Sequence, residues 1–359
     1  MQAFRTTSAL SIGVIRLSAL GDVCNASAAV TAIQNAMPNA RITWIIGKTE
    51  APLIENMPGI EVVRFDKSLG IKAYSSALKQ LTEKFDVLLH MQVSLRANIL
   101  AAMVKADLKI GYPKHYSREL HHWIINRSIE PPAGRHVTDF FMQFSKAVGV
   151  GGAKPNWCLP VPTESSQWAD DKVAGHRRSL LIAPAASNPE RNWLPERYAA
   201  IADYAHEAGF LVMLSTGPAP KEIALANAIA ATANVPIANL AGATSVQQLV
   251  ALCGAVDIVI GPDSGTLHIA NAQGATVIGL YAHSNPARTG PYHHQDLVVD
   301  AYSRLLSQQT GRDASAVPWG TRLKGSDLMA SISIDEVINK LETAIHQRFD
   351  NEGKEPISH

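Results

Sequence analysis

Apolar positions along this chain follow two rhythms. Short β-rich runs at residues 11–17, 42–46, 62–65 and 87–89 read as buried strands, and the stretches between them, such as 25–37 and 74–84, repeat apolar side chains at helical spacing. Alternation at this scale predicts a parallel sheet covered by helices. The texture breaks at 148–167, where three glycines, three prolines and few periodic apolar positions predict a linker. A second series follows, with strands at 179–183, 211–215, 256–261 and 276–281 and helices at 195–208, 222–231, 245–253 and 266–272. A last helix at 333–347 carries Val337, Ile338, Leu341 and Ile345 on one face. The expected architecture is α/β, with two Rossmann-like doubly wound domains at 1–160 and 161–345 facing a central cleft. The last helix is a candidate to pack back on the first domain, and 346–359 reads as a tail, frayed over 351–359.

Composition narrows the function classes. With 47% hydrophobic and 18% charged residues, the 359-residue chain can bury a large core. Its net charge of +1 gives no overall field for nucleic acid, so attraction to a polyanion has to come from a local patch. Cys24, Cys158 and Cys253 are too scattered for a disulfide framework or a zinc site, which favours a reducing cytoplasm. The apolar start at 9–20 is interrupted by Arg16 and followed by Asp22, so it reads as a first buried strand rather than a signal segment. No run approaches the roughly 20 apolar residues of a membrane span, which leaves peripheral contact with a membrane surface. Neither half holds Gly-x-Gly-x-x-Gly, which argues against a nicotinamide or flavin site.

Three strand-to-helix junctions carry candidate chemistry. In Arg16-Leu17-Ser18-Ala19-Leu20-Gly21-Asp22, a turn ahead of a helix expected near Asn25 presents Asp22 either as a general base or as a helix cap. Residues 183–195 pair a small-residue loop with Ser187 and Arg191, which can grip a diphosphate; the alternative makes Arg191 a solvated charge and Trp193 a packing residue. At 261–268 the amides of Ser264, Gly265, Thr266 and Leu267 open a helix and favour an anion, with Asp263 directed at sugar hydroxyls. Asp263 or Ser264 can equally cap that helix, and His268 can be a satisfied interior histidine. Between these junctions, Lys109, Lys114, His115, Arg118, His121, His122 and Arg127 form a basic stretch suited to an anionic acceptor, or a solvated face. No Asp-x-Asp pair sits in a suitable loop, so no metal and no cofactor is expected.

At these junctions the chain resembles the ADP-heptose:lipopolysaccharide heptosyltransferases of glycosyltransferase family 9. Arg16 to Val23 matches the opening Arg-Leu-Ser-x-Leu-Gly-Asp-Val, and 38–46 is similar to Pro-x-x-x-Ile-x-Trp. Gly111-Tyr112 and Ser117-Arg118-Glu119 resemble the middle loop, 190–195 the basic-x-Trp-Pro region, and Asp263-Ser264-Gly265-x-x-His268 the Asp-[Ser/Thr]-Gly-x-x-His signature. The resemblance implies a GT-B fold and inverting transfer of a heptose from ADP-heptose to a lipopolysaccharide core, without metal. It makes Asp22 the base, sets Ser187 and Arg191 on the diphosphate, and brings Glu222 near the ribose and the nucleotide base near 242–245. Asp263 to His268 then complete the nucleotide-sugar site, with Ser18, Lys114 and Arg118 on the acceptor. Asn25, Ala28 and His90 stand where the family carries histidine, proline and an acid, and Arg191 where many members carry lysine. A nucleotide-sugar epimerase or hydrolase, and a non-catalytic nucleotide or glycan binder, are the rival expectations.

Overall fold

The computed structural model describes residues 9–350 and divides into two units, Met1–Pro160 and Val161–His359. The first runs β1 (Ser11–Ile15), α1 (Leu20–Ala36), β2 (Arg41–Gly47), β3 (Ile60–Phe65), α2 (Lys72–Lys79), β4 (Phe85–His90), α3 (Leu95–Met103), β5 (Ala106–Gly111), α4 (His121–Ile124), β6 (Arg127–Ser128) and α5 (Val137–Ala147). Its six strands form one parallel sheet in the order β3-β2-β1-β4-β5-β6. Strands buried on both faces need continuous apolar side chains, and Ile12, Val14, Ile15, Ile45, Val87 and Leu89 provide them.

The second unit repeats the wiring. It runs α6 (Thr163–Val173), β7 (Ser179–Ile182), α7 (Pro195–Glu207), β8 (Leu211–Leu214), α8 (Pro220–Thr232), β9 (Ala238–Asn239), α9 (Val246–Ala255), β10 (Ile258–Pro262), α10 (Gly265–Gln273), β11 (Thr276–Tyr281), α11 (Pro286–Thr289), β12 (Val299–Asp300), α12 (Ala301–Thr310) and α13 (Ile334–Ile345). Its sheet order, β12-β11-β10-β7-β8-β9, is that of the first read from the other edge. Both sheets pin the start of their first strand to an aspartate at the start of the fourth: Ser11 N–H donates to Asp86 Oδ2 at 2.8 Å, and Ser179 N–H donates to Asp257 Oδ2 at 2.9 Å.

Several element boundaries move from their expected places. α1 starts at Leu20 rather than near Asn25. Its buried residues run almost without gap from Gly21 to Ile33, and its small side chains let it pack closely against α5. The buried Asn25 is met there by Thr138, whose Oγ1 donates to Asn25 Oδ1 at 3.1 Å. α6 begins inside the expected linker.

α13 contacts α7 and β11 and contributes Val337, Leu341 and Ala344 to the core of the second unit. A capping box between Ser333 and Glu336 starts it. The chain continues as a wider turn at His346–Asp350, where Phe349 packs beside Phe210 and under the Arg178 guanidinium at 4.6 Å. Residues 351–359, read as frayed, lie outside the described residues. No described helix is long and apolar enough to cross a membrane.

Trp44 on β2 is fully buried and its Nε1 donates to Arg16 O at 3.3 Å. Trp44→Ala is expected to destabilise the first unit by about 3–5 kcal/mol, the usual cost of emptying a large aromatic site. Thermal unfolding followed by circular dichroism reads this as an early transition that the parent protein lacks.

Candidate active site

The first junction is built around a buried arginine. Arg16, at the end of β1, is 9% exposed. Its Nη1 donates to Met91 O at 2.7 Å, its Nη2 pairs with Asp22 Oδ2, and its guanidinium lies over the Phe141 ring at 5.5 Å. Because α1 starts at Leu20, Asp22 is the third residue of the helix and not its cap: the N-cap is Ala19, which makes no side-chain cap bond. The capping role considered for Asp22 is therefore excluded. Its carboxylate sits beside the free first-turn amides, which favour negative charge. Arg16 fixes its orientation, and 39% of the side chain stays open to solvent. Ser18, just upstream, accepts from Gln92 Nε2 at 3.4 Å, while Gln92 Oε1 accepts from Leu17 N–H at 2.6 Å.

The second and third junctions form one cluster in the other unit. Arg191 Nη2 donates to Ser187 Oγ at 2.9 Å, and its Nη1 donates to Asp263 O at 3.0 Å and Asp263 Oδ2 at 3.1 Å. The side chain is 13% exposed, which rules out a solvated charge. Asn192 Oδ1 accepts from Ala186 N–H at 2.7 Å and closes the loop that carries Ser187. Trp193 is a packing residue: it is 1% exposed and its Nε1 donates to Ile332 O at 3.1 Å.

Asp263 is turned inward. Besides Arg191 it accepts from Ser284 Oγ at 2.7 Å, and His268 Nε2 stands 3.9 Å from its other oxygen. A buried carboxylate requires such partners. In this arrangement Asp263 braces Arg191, and the face offered to a ligand is the guanidinium together with the start of α10. There Ser264 is the N-cap but makes no side-chain cap bond. Its buried hydroxyl has no partner among the described residues. The amides of Gly265, Thr266 and Leu267 have no acceptor within the helix by construction. The cluster also needs a glycine at 261, since a Cβ there would stand 2.4 Å from Ala183 O.

Glu222, in the first turn of α8, folds over the strand end, so that a Cβ on Gly217 would meet its Oε2 at 2.5 Å. Thr216 O accepts from Gly242 N–H at 3.1 Å and Ser215 Oγ lies 3.4 Å from Thr244 Oγ1. Glu222, 215–217 and 242–245 are thus gathered beside one another. Among the described residues no group of three or more His, Cys, Asp or Glu side chains could hold a metal ion.

The basic stretch separates into inner and outer members. Lys109 is consumed by the end of α3, donating to Ala101 O at 2.7 Å, and burial lowers its pKa. His121 is buried and accepts from Tyr112 N–H at 3.0 Å. Its ring lies 4.4 Å from that of His90. Asn98 Oδ1 serves both rings, at 2.7 Å from His90 Nε2 and 3.1 Å from His121 Nδ1. Asn98 Nδ2 donates to Glu119 O at 2.6 Å, anchoring a loop whose Glu119 and Leu120 take positive φ angles of 55° and 64°. Burial, helped by the opposing ring, pushes His90 down to about 3, and burial pushes His121 down to about 4. Lys114 and Arg118 stand exposed on the loop so held. Ser284, Asn192, Gln92 and Asn98 escaped the sequence reading; the polar run His283-Ser284-Asn285 directly after a strand was a visible signal for the first.

Two Rossmann-like units with this sheet order and charged strand ends define the GT-B class of sugar-nucleotide transferases. Solved structures of that fold match the chain. The glycosyl transferase family 9 protein of Veillonella parvula does so with a TM-score of 0.80 at 20% identity, over 96% of this chain and 99% of that one. The Escherichia coli ADP-heptose lps heptosyltransferase II does so with a TM-score of 0.72 at 20% identity, over 94% and 99%. Residues 75–316 match Glycosyltransferase family 9 (heptosyltransferase). The chain is 42% identical over 338 residues to the lipopolysaccharide core heptosyltransferase OpsX of Haemophilus influenzae, covering 94% of this chain and 97% of that protein. The chain therefore belongs to glycosyltransferase family 9, the heptosyltransferases.

Two outcomes follow from the charges buried at these junctions. Asp263→Ala leaves the Arg191 guanidinium indoors without its carboxylate and is expected to destabilise the second unit by roughly 3 kcal/mol, read as a lower urea midpoint, with Asp263→Asn intermediate. His90 and His121 are held neutral, with folded pKa values of about 3 and about 4 against an ordinary 6.5, so the unfolded chain takes up protons first as pH falls. Stability present at neutral pH is lost below that ordinary value, and the melting temperature should fall from about pH 7 to about pH 4. In His90→Gln that fall should be shallower.

Proposed function

We propose that this protein moves a heptose from ADP-heptose to the inner core of lipopolysaccharide, inverting the anomeric centre, at the cytoplasmic face of the inner membrane. The first unit takes the acceptor and the second the nucleotide sugar. Asp22 removes the proton from the acceptor hydroxyl; the oxygen forms its bond to the anomeric carbon as the bond from that carbon to the diphosphate oxygen breaks, and ADP departs with the electron pair. Arg191, Ser187, the Ser264 hydroxyl and the first amides of α10 receive the charge that develops on the diphosphate, where fixed donors stabilise the transition state more than the ground state. Glu222 binds the ribose, and 242–245 lines the base. Ser18, Lys114 and Arg118 contact the acceptor, whose phosphates and carboxylates suit the two exposed cations. Asp263 and His268 support the sugar end of the donor site through the Arg191 cluster.

One observation carries this reading: Arg191 is clamped by Ser187 and Asp263 beside a helix start whose capping hydroxyl is buried with no partner among the described residues, which supports an anion site prepared before the anion arrives. The likeness to the core heptosyltransferase of H. influenzae supports heptose as the sugar and the lipopolysaccharide core as the acceptor.

The deciding experiment incubates the chain with ADP-heptose, with and without a truncated core acceptor, and weighs the glycan by mass spectrometry. Extension by one heptose with release of ADP is expected only with acceptor present; ADP release without acceptor would instead make the chain a hydrolase. Asp22→Asn should lower turnover by about 10²–10⁴ while ADP binding by calorimetry stays within about twofold. Arg191→Lys keeps the charge but cannot bridge Ser187 and Asp263 together, and should weaken ADP binding about tenfold.

A further inference from the structure

All large apolar side chains that stand exposed among the described residues fall between positions 69 and 123 of the first unit. Three of them, Leu95, Ile99 and Met103, are spaced by four and form a single outer stripe on α3. The opposite side of α3 already supplies Ala97, Leu100 and Ala101 to the core, so this helix is apolar on two faces and only one is covered. α4 packs against α3 and adds Leu120 and Trp123, the latter 78% exposed. The residues leading into α2 add Leu69 and Ile71, the latter 89% exposed. α2, α3 and α4 all pack on the same core cluster, hence on the same face of the sheet. Lys67, Ser68 and Arg96 line one pocket, which joins the approach to α2 with the start of α3.

Charge identifies what covers this face. Arg96, Lys105, Lys114 and Arg118 are exposed among these side chains and form no ion pair among the described residues. Of the carboxylates within 95–123, Asp107 is already tied to Lys84, which leaves Glu119. An apolar surface studded with free cations fits an anionic lipid surface: the apolar side chains enter the acyl boundary, the cations meet the phosphates, and an exposed tryptophan favours the interface. A second copy meeting this face about a twofold axis would set the same cations against one another.

We infer that the face formed by α3, α4 and the approach to α2 docks the first unit on a bilayer containing anionic phospholipid. This rests on the proposed function to the extent that the bilayer also carries the acceptor. The pocket between Lys67 and Arg96 is lined by Ser18 as well, so a glycan rising from the docked surface meets the acceptor residues.

The test uses the whole chain and sedimentation with vesicles, either pure phosphatidylcholine or equal parts phosphatidylcholine and phosphatidylglycerol. Binding at least about tenfold stronger to the mixed vesicles, and weakening as salt rises, is expected. The combined variant Ile99→Gln, Met103→Gln, Trp123→Ser should lose at least about tenfold of that binding at an unchanged melting temperature. The same variant should keep its turnover of a water-soluble, deacylated core acceptor and lose turnover of acceptor embedded in vesicles. Equal or absent binding to the two vesicle types overturns the inference. So does a concentration-dependent dimer that the variant abolishes, which would make a second copy the occupant. Vesicle binding that survives while no acceptor is glycosylated supports the docking face and removes the heptosyl transfer reading alone.

Discussion

Everything at the two strand ends depends on a guanidinium taken out of water. Arginine cannot shed its charge on burial, so each such side chain must be met by acceptors in fixed positions. Arg16 and Arg191 are met in the same manner, by a main-chain carbonyl and an aspartate: Met91 O with Asp22, and Asp263 through both its carbonyl and its carboxylate. The aspartates differ in what remains free. Asp22 keeps 39% of its side chain open, whereas Asp263 keeps 9%. One arginine therefore orients a carboxylate that can still accept a proton, while the other is itself oriented, by a carboxylate that can do little else. In the proposed reaction the same pairing serves a base in one unit and an anion clamp in the other.

The departures from the family pattern acquire physical roles under this constraint. Asn25 is buried on a helix with little exposed surface and meets Thr138, so it serves the contact between α1 and α5. His90 is bound into a neutral network with Asn98 and His121, and that network reaches the carbonyl of Glu119 at the base of the loop bearing Lys114 and Arg118. A charged carboxylate at position 90 would sit beside a buried imidazole and amide and demand a cation there; histidine satisfies the same space without charge. Both substitutions are thus absorbed by packing, and the one at 90 joins the network that holds the loop bearing Lys114 and Arg118.

Much of this was legible in the sequence because apolar strands of a parallel sheet and small-residue strand ends leave strong local patterns. Four strands of the second unit could be read to within about two residues, whereas α6, α11 and α12 could not, and Ser187, Arg191, Asp263 and Ser264 stand within two short segments. β5 was not legible, because Asp107 and Lys109 interrupt its apolar run, and the two-residue strands leave no pattern at all. The start of α1 was misplaced because Ala19 caps it without a side chain, so no capping residue marked the turn. The inward orientation of Asp263 was hidden for a different reason: its partners Arg191 and Ser284 lie on neighbouring strand ends and become neighbours only once the sheet is ordered β7-β10-β11.

Net charge was the least informative global number, and the distribution of side chains explains why. A total of +1 averages over a first unit whose 95–123 segment exposes unpaired cations among apolar side chains, and a second unit in which no large apolar side chain is exposed among the described residues. A soluble donor needs only a clamp, which the second unit can build indoors from buried charges. An acceptor anchored in lipid needs an approach, and an approach has to be made by side chains that folding leaves unsatisfied. The exposed tryptophan, the stripe on α3 and the unpaired cations are costly to leave in water, and that cost is recovered only when a surface of matching chemistry covers them.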